Sequence, residues 1–305
     1  MALTRLNIPA HLEEGLNTIF GMAYKELPKE WSMAFETESS TKAFEEDLLT
    51  TGLGMAPIKA EGANVAEDRF YEGWKARYIH QTIALSFAIT KEAMQDDLYK
   101  RQAPKNTRAL ARSLGHTKET RAAAILNNGF DTDYPGGDGK PLFADDHPTI
   151  FGGEQSNVLA TPADLSEASL EDMLIQIRTA RDDRNLHIAL RPKRLIIPPA
   201  LEYEAIRILA STHRVGTDHN DINAIKNKGI MSSGDISIMT RLADDAFWAI
   251  KTDAPDGLKH FTRQSVEYGM DNHFRSGNLL YKADERYSFG FTDWRGIYAS
   301  TGTGG

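Results

Sequence analysis

Apolar and polar side chains alternate along the segment TIALSFAIT, residues 82–90, with the large apolar ones at odd positions. This period of two predicts a half-buried β-strand. Just upstream, in WKARY at 74–78, the apolar side chains stand at even positions instead. Because a regular strand cannot exchange its two faces, the change of parity predicts a bend or a β-bulge within 78–82.

The segment before this strand predicts a protruding β-hairpin. We expect residues 56–61 and 69–78 to form its two arms, with EGANVAEDR as the tip. It carries eight charged side chains and few large aliphatic ones, and an isolated two-stranded ribbon is only marginally stable in water. The hairpin therefore needs an outside surface, which is either its own sheet or a neighbouring molecule.

A long, mostly polar helix is predicted over residues 104–128. Pro104 is compatible with its first turn, and the NNG sequence at 127–129 provides a stop. A shorter helix capped by Thr90 is expected before it and should end ahead of Pro104, since proline disfavours helical conformation in the preceding residue. The apolar stripe of the long helix is narrow and consists of Leu110, Leu114, Ala122 and Ile125.

Residues 160–255 have the alternation of helices and strands that is typical of an α/β unit. One helix is predicted after Asp164 or Ser166 and another from Pro199. Apolar runs predict short strands at LHIAL, RLIIPP, ISIMTRL and FWAIK, and longer ones at GLKHFTRQSVEYGMD and LLYKADERYSFGF.

At the other end, residues 1–50 predict a helix and irregular segments, which either pack on their own domain or form an arm that reaches a neighbour.

Composition indicates a soluble globular protein with a sizeable core. Hydrophobic residues make up 41% and charged residues 26% of the 305 residues, and no apolar run is long enough for a membrane span. The absence of cysteine excludes disulfides and thiol chemistry. The net charge of −8 argues against a sequence-reading nucleic-acid binder, although an acidic protein could surround nucleic acid without gripping it.

No sequence motif predicts catalysis or cofactor binding. Phosphate-binding glycine loops, the G-x-S-x-G elbow, H-E-x-x-H and the dinucleotide fingerprint are all missing. Two polar loops contain acids and histidines, one from Asp138 to His147 and one from His213 to Asp221. They leave a metal- or acid-dependent hydrolase as an alternative, but neither loop has a recognised metal-ligand spacing. We therefore predict no catalytic residue, no metal site and no cofactor.

Several segments, in their order and spacing, resemble the HK97-type major capsid proteins of tailed bacteriophages, and most closely the Mu-like major head subunit group. They are IKAEG…DRFYEGWKARYIHQTIALSFAITKEAMQDD, GKPLFADDHP…SNVLA, LRPKRLIIPPALEYEAIRILAS and ERYSFGFTDWRGIYAS. The resemblance implies an α+β fold, the HK97-like capsid fold. Its parts would be an N-terminal arm at 1–29, a peripheral domain at 30–160 with an extended loop at 56–80 and a spine helix at 104–128, an axial domain at 161–255, and the rest of the peripheral domain at 256–305.

The resemblance also implies a structural role without enzymatic activity. Subunits of that family form the hexamers and pentamers of an icosahedral shell around double-stranded DNA, and the extended loop lies over the adjacent subunit. An encapsulin-like bacterial compartment of the same fold is a further alternative. The side chains expected to contact the neighbour are Lys59, Glu61, Glu67, Asp68, Arg69, Glu72, Trp74, Lys75, Arg77 and Tyr78.

The partners that the resemblance implies are further copies of the chain, a separate scaffolding protein, a portal and, optionally, a decoration protein. DNA would be enclosed without sequence-specific binding, and no membrane association is expected. The protein would reside in the virion capsid after assembly in the host cytoplasm. Lys59 and Lys75 have the position of cross-linking lysines in some members, but the sequence identifies no asparagine or acidic partner for them.

Overall fold

The computed structural model describes residues 8–96, 99–213, 222–227, 229–273 and 275–302. This part of the chain has the predicted α+β architecture, with two four-stranded sheets and two two-stranded ones. The helices are α1 (Ile8–Glu26), α2 (Trp31–Ala34), α3 (Lys91–Gln95), α4 (Tyr99–Asn127), α5 (Glu167–Thr179), α6 (Glu202–Ala210) and α7 (Ala224–Asn227). The strands are β1 (Glu36–Ser39), β2 (Phe44–Thr50), β3 (Glu72–Ile79), β4 (Gln81–Ile89), β5 (His147–Pro148), β6 (Glu154–Gln155), β7 (Pro192–Ile197), β8 (Ile236–Ile238), β9 (Trp248–Thr252), β10 (Leu258–Asn272), β11 (Leu279–Phe291) and β12 (Ile297–Ser300).

The first sheet, of order β1-β10-β11-β4, is organised around the long β10-β11 pair. Strand β1 runs parallel to β10, whereas β10, β11 and β4 are antiparallel. Helices α1 and α4 pack together and cover one face of this sheet. The buried side chains at this contact include Leu16, Phe20, Leu110, Leu114 and Tyr281. A narrow apolar stripe is sufficient for α4, because each large side chain that it buries contributes about 1.5–3 kcal/mol.

The second sheet, of order β12-β9-β7-β8, is buried on both faces. Leu195, Trp248 and Tyr298 point into a core that is closed by α5 and α6. Their neighbours Ile196 and Ala249 point to the opposite side, where the core also contains Trp31, Leu126 and Phe143. Since both faces are covered, the strands appear in the sequence as continuous apolar runs and not as alternating ones.

The predicted change of strand faces is confirmed and occurs at His80, between β3 and β4. Ala76 and Tyr78 are buried at even positions of β3, whereas β4 turns Ile83 and Ile89 inwards at odd positions. The ring of His80 bridges two strand regions, because Nδ1 lies 3.0 Å from Ser288 Oγ and Nε2 lies 3.0 Å from Ser40 Oγ. This buried bridge fixes the point at which the chain passes from one sheet to the other.

Helix α4 begins at Tyr99 and not at Pro104, so that the proline lies inside the helix. The residue beside it, Ala103, is buried against α1 and the first sheet. Packing of this turn offsets the backbone hydrogen bond that proline removes. The short preceding helix α3 is capped as predicted, with Thr90 Oγ1 accepting the Ala93 N–H at 3.3 Å.

Three sequence assignments are corrected by the packing. Helix α1, which was assigned to an N-terminal arm, buries Leu16 and Phe20 against its own chain, while residues 1–7 lie outside the described residues. Strand β12, which was assigned to the peripheral domain, pairs with β9 of the α/β unit. The predicted strand LHIAL is not a strand, because the chain around it has positive φ angles of 64° at Asn185 and 50° at Ala189.

The hairpin is also rearranged. Strand β3 pairs with β2, from Phe44 opposite Ile79 to Thr50 opposite Glu72, and the predicted arm 56–61 contains no strand. Strand β2 was not predicted, because its sequence, FEEDLLT, is acidic and lies within residues 1–50, where a helix and irregular segments were expected. We call β2 and β3 the ribbon, and residues 51–71, which connect them, the ribbon loop.

Candidate inter-subunit surface

The inner face of the ribbon is packed on its own subunit. The Tyr78 ring lies 4.8 Å from the Phe261 ring between centroids, and its hydroxyl lies 2.6 Å from Thr292 Oγ1. Burial raises the pKa of Tyr78 above its ordinary value. Tyr78, which we predicted to contact a neighbouring subunit, is thus only 3% exposed and belongs to the core of its own chain.

A buried lysine fixes the same end of the ribbon to the first sheet. Lys259 Nζ contacts the carboxylate of Asp47 on β2 and lies 2.6 Å from Asp256 Oδ1 and 3.3 Å from Glu38 Oε1. Burial by itself would lower the pKa of Lys259, but its hydrogen bonds to Asp256 and Asp47 outweigh burial and raise it. The ribbon therefore leaves the subunit body in a defined direction.

The neck of the ribbon loop (residues 51–54 and 68–71) is closed by hydrogen bonds around Asp68. Its carboxylate accepts the Gly54 N–H at 2.7 Å and the Arg69 N–H at 2.8 Å, and Arg184 Nη1 lies 2.7 Å away. The Gly54 and Arg69 amides, followed by Arg184, hold the pKa of Asp68 below its ordinary value. Arg184 comes from the α/β unit, so that this residue ties the neck to a distant part of the chain.

An aromatic pair lies under the same arginine. The Arg184 guanidinium lies 5.5 Å from the Tyr71 ring centroid and 5.2 Å from that of Phe151, and the two rings meet edge to face at 5.2 Å. Thr51 and Tyr71 close the loop with two hydrogen bonds, from Thr51 N–H to Tyr71 O at 2.9 Å and from Tyr71 N–H to Thr51 Oγ1 at 3.0 Å. Sequence reasoning missed Arg184, because nothing local links it to residues more than a hundred positions earlier.

Beyond the neck, the tip of the ribbon loop (residues 55–67) is exposed along its whole length. It contains Lys59, Glu61 and Glu67 from the predicted set, and a turn at Gly62, whose φ is 78°. It also exposes three apolar side chains that the prediction did not single out, with exposed fractions of 83% for Met55, 101% for Ile58 and 76% for Val65. Isolated aliphatic residues in a charged, glycine-broken segment were the available signal for them.

The outer face of the ribbon carries charged side chains and one exposed isoleucine. Lys75 Nζ lies 3.2 Å from Glu46 Oε2 across the two strands, and the Arg77 guanidinium lies 4.1 Å from the Phe44 ring centroid. Ile79 is 62% exposed. The remaining predicted residues differ in burial, since Arg69 and Glu72 are exposed and Trp74 is half-buried.

A cavity of about 570 Å³ lies beside the ribbon, between β3, the end of α4 and the loop 134–137. Arg77, Arg121 and Tyr134 line it. A Cβ atom at Gly137 would lie 2.8 Å from Lys75 O, so that only glycine lets this loop approach the ribbon so closely. The cavity places two arginines on a surface that adjoins the exposed Ile79.

The spine-helix residues have a role inside the subunit. Leu110 and Leu114 are buried in the core that α4 shares with α1, and Ala122 is buried in the core under the second sheet. Ile125 is partly buried against that second core. The stripe therefore attaches α4 to both sheets.

Neither candidate metal loop presents a ligand set in the described residues. His147 Nδ1 lies 2.7 Å from Asp138 Oδ2, and the His147 ring stacks on Trp294 at 4.4 Å between centroids. The Asp138 side chain is thus buried, although it lies in a loop rich in polar residues. Within the described ranges no group of three or more histidines, cysteines or acids could hold a metal, and residues 214–221 of the second loop lie outside them. In the same ranges, no helix is long and apolar enough to cross a bilayer.

Comparisons with known proteins agree with this geometry. The sequence model of a family described as phage capsid protein matches residues 75–300. A structure of the procapsid of bacteriophage JBD30 is similar with a TM-score of 0.55 at 14% identity, covering 98% of this chain and 76% of that chain. The capsid of an empty GTA particle gives a TM-score of 0.55 at 13% identity, covering 90% of both chains.

A virus-like particle from Pyrococcus furiosus is also similar, with a TM-score of 0.51 at 12% identity, covering 95% of this chain and 99% of that chain. A search of curated protein sequences finds no match. At such identities the structural matches establish the fold, and the predicted HK97-like capsid fold is confirmed.

Proposed function

Because this chain belongs to the phage capsid protein family, we propose that its copies form the hexamers and pentamers of an icosahedral shell around double-stranded phage DNA. Its role as a major capsid structural protein follows from the family and the fold. Membership of the Mu-like group is the finer part of the proposal, and it is supported by the segments that carry the resemblance.

The observation that carries the assembly proposal is the ribbon loop, with a fixed neck and an exposed apolar tip. The neck is held by Asp68 and Arg184, whereas Met55, Ile58 and Val65 remain in water. Covering apolar surface is favourable by about 25 cal/mol per Å². An adjacent copy of the chain that covers the tip would therefore gain this energy without ordering the neck, which is already closed.

Charge complementarity supports the same arrangement. The tip presents Glu61 and Glu67, and the cavity beside the ribbon presents Arg77 and Arg121. Between two copies, the acidic tip of one subunit would face the basic cavity of the next. Such pairs orient the contact and reject wrong registers more than they strengthen it.

The remaining partners belong to the same proposal. A separate scaffolding protein, a portal and optionally a decoration protein would act with this subunit, which would assemble in the host cytoplasm and remain in the virion capsid. DNA would be enclosed without sequence-specific binding. The encapsulin-like alternative is not favoured, because the matching family is one of phage capsid proteins. The hydrolase alternative has no support from that family or from the buried Asp138–His147 pair.

Electron microscopy after co-expression with a scaffolding protein tests the proposal. We expect icosahedral shells, or rings of five and six subunits, at assembly concentrations. A protein that stays monomeric under every assembly condition would contradict it.

A further inference from the structure

The stretch 98–118 contains six lysines and arginines and no acidic residue, in a chain whose net charge is −8. Most of this stretch forms the first two thirds of α4. Basic residues in an acidic protein are normally interspersed with acids, which lowers their mutual repulsion. A helix with such a segregation of positive charge is typical of a surface that binds an anionic partner.

The structure divides these cations between two sides of α4. Lys118 turns inwards, and its Nζ lies 3.2 Å from Glu285 Oε2. Of the other five, Lys100 already has a partner. The remaining four are exposed to solvent on the side away from the core, and we call them the basic stripe: Arg101, Lys105, Arg108 and Arg112. Their spacing of four, three and four residues keeps them on one side of the helix over about 16 Å, at a rise of 1.5 Å per residue.

Within the described part of the chain, the subunit does not neutralise the basic stripe. Among the residues that the structure describes, none of its four side chains forms an ion pair or a side-chain hydrogen bond. Buried cations elsewhere are paired, as Lys259 is with Asp47 and Arg295 is with Asp183. Like charges three and four residues apart destabilise a helix by a few tenths of a kcal/mol per pair. An external anion that binds the stripe would remove this repulsion.

We infer that the basic stripe binds the phosphate backbone of the packaged double-stranded DNA without reading its sequence. This inference rests on the proposed function, which places the subunit around DNA. Three of the four residues are arginines, whose planar guanidinium groups match phosphate oxygens. The side chains advance along the helix in steps of about 4.5 and 6 Å, and a DNA strand offers a phosphate about every 3.4 Å along its axis. The row of cations, about 16 Å long, therefore spans about five base-pair steps of a duplex.

The neighbours of the stripe suit a duplex better than an acidic peptide. Gln102 and Asn106 lie between the cations, joined by a hydrogen bond of 3.3 Å, and are of the type that contacts phosphates. A docked peptide would be expected to bury apolar anchors beside its charged contacts. None of the apolar side chains that the structure shows as large and exposed belongs to α4.

The salt dependence of binding to a fluorescent 20-bp duplex of arbitrary sequence tests the inference. The variant Arg101→Gln/Lys105→Gln/Arg108→Gln/Arg112→Gln keeps good helix formers and removes four positive charges. We expect the slope of log K against log salt to become about 3 to 4 units shallower, and binding at 50 mM salt to weaken at least tenfold. The matched control Arg178→Gln/Arg191→Gln/Lys193→Gln/Arg275→Gln removes the same charge from other exposed positions and should keep the slope of the unmodified protein.

Three further variants distinguish the loss of charge from a loss of folding. Arg101→Lys/Arg108→Lys/Arg112→Lys keeps the charge and should retain most of the slope. If the fourfold glutamine variant fails to fold, the pairs Arg101→Gln/Lys105→Gln and Arg108→Gln/Arg112→Gln should each remove about half of the effect. An equal slope in the stripe variant and in the unmodified protein overturns the inference.

The same experiment distinguishes DNA from an acidic protein as the partner. It also separates failure of this inference from failure of the proposed function. Stripe-dependent binding of polyglutamate, without stripe-dependent binding of the duplex, would assign the surface to an acidic protein and overturn the DNA assignment. Shell formation is scored separately by electron microscopy. Normal shells with an unchanged slope contradict only this inference, whereas failure of the unmodified chain to assemble contradicts the proposed function.

Discussion

The guanidinium of Arg184 lies 2.7 Å from the carboxylate of Asp68 and so connects the α/β unit to the neck of the ribbon loop. The same carboxylate accepts the backbone N–H groups of Gly54 and Arg69. A single side chain thus closes both sides of the loop. The position of the tip is therefore determined by a contact that is remote from it in sequence.

We expect Arg184→Gln to open the neck without unfolding the subunit, because Asp68 is exposed to solvent and an ion pair at the surface adds little to stability. Hydrogen exchange at the Gly54 and Arg69 amides should accelerate, and shells should assemble more slowly. The control Arg207→Gln breaks the exposed pair with Glu204 on α6 and should change neither quantity. Unchanged exchange at Gly54 would show that Arg184 does not hold the neck.

The neck should also depend on pH. The pKa of Asp68 is lowered from its ordinary value of 3.8, because its hydrogen bonds stabilise the ionised carboxylate. These interactions are fully present above pH 3.8 and are lost as the pH falls through the lowered pKa. Protection of the Gly54 amide should persist at pH 5 and disappear under strongly acidic conditions. In Asp68→Asn, this change of protection with pH should be absent.

The two faces of β3 should respond differently to substitution. Tyr78→Ala removes a buried ring and should lower the free energy of unfolding by about 3–5 kcal/mol. Arg77→Glu, at an exposed position of the same strand, should leave subunit folding largely intact and reduce the yield of shells. Urea denaturation of the subunit and electron microscopy of assembly reactions measure the two effects. Unfolding of the isolated subunit by Arg77→Glu would assign the outer face to the subunit core.

A charge exchange tests which groups meet the ribbon. If the tip of one copy faces Arg77 of the next, Glu61→Arg/Glu67→Arg should restore part of the assembly lost in Arg77→Glu. The same tip variant on its own should assemble poorly. A rescue that fails, in a double variant whose subunit folds normally, places the acidic tip on another surface.

The apolar tip provides a further prediction. Ile58→Ser/Val65→Ser should leave the melting temperature of the subunit unchanged, because both side chains are already in water. Assembly should weaken, since the covered apolar area decreases. Tyr203→Ser, at a 73% exposed position on α6, is the control and should assemble as the unmodified chain does. A lower melting temperature of the tip variant would mean that the tip packs on its own subunit.

His260 provides a prediction on stability. Its ring lies between Trp31 and Phe289, at 4.3 and 4.5 Å between centroids, and burial, together with the nearby Lys118, lowers its pKa from 6.5 to about 3. Below pH 6.5 the unfolded chain therefore binds a proton at this histidine that the folded chain does not bind. The contribution of His260 to the free energy of unfolding is fully present above pH 6.5 and decreases as the pH falls from 6.5 to about 3.

In His260→Phe this part of the pH dependence should be absent. A pKa that is lowered by one unit corresponds to up to about 1.4 kcal/mol in the free energy of unfolding. Denaturation at pH 7, 5 and 4 measures it, with the exposed His187→Gln as control. An unchanged loss of stability in His260→Phe would show that other groups cause the acid sensitivity.

Local patterns in the sequence were sufficient for much of the secondary structure. The alternation at 82–90 identified β4, the change of parity located the break at His80, and Ser166 caps α5 with its Oγ accepting the Ser169 N–H. These features depend on neighbouring residues, whose spacing can be read directly. The order of such segments also carried the resemblance that the family match supports.

Strand pairing was not accessible in the same way. The acidic segment FEEDLLT has no strong strand pattern, yet it pairs with β3 because Lys259 holds Asp47 and Tyr78 anchors the partner strand. Similarly, β12 enters the second sheet, although residues 256–291 before it form the first. Periodicity shows that a face is buried, but not which distant segment buries it.

The sequence by itself determined the helices and strands with a clear period, the absence of recognised catalytic motifs and the segregation of basic residues along α4, because each of these is a local property of the chain. Only the tertiary structure decided that Tyr78 is a core residue while Arg77 is available, that Arg184 closes the ribbon loop, and that the basic stripe has no partner among the residues that the structure describes. These outcomes depend on contacts between residues far apart in sequence, and such contacts exist only once the chain has folded.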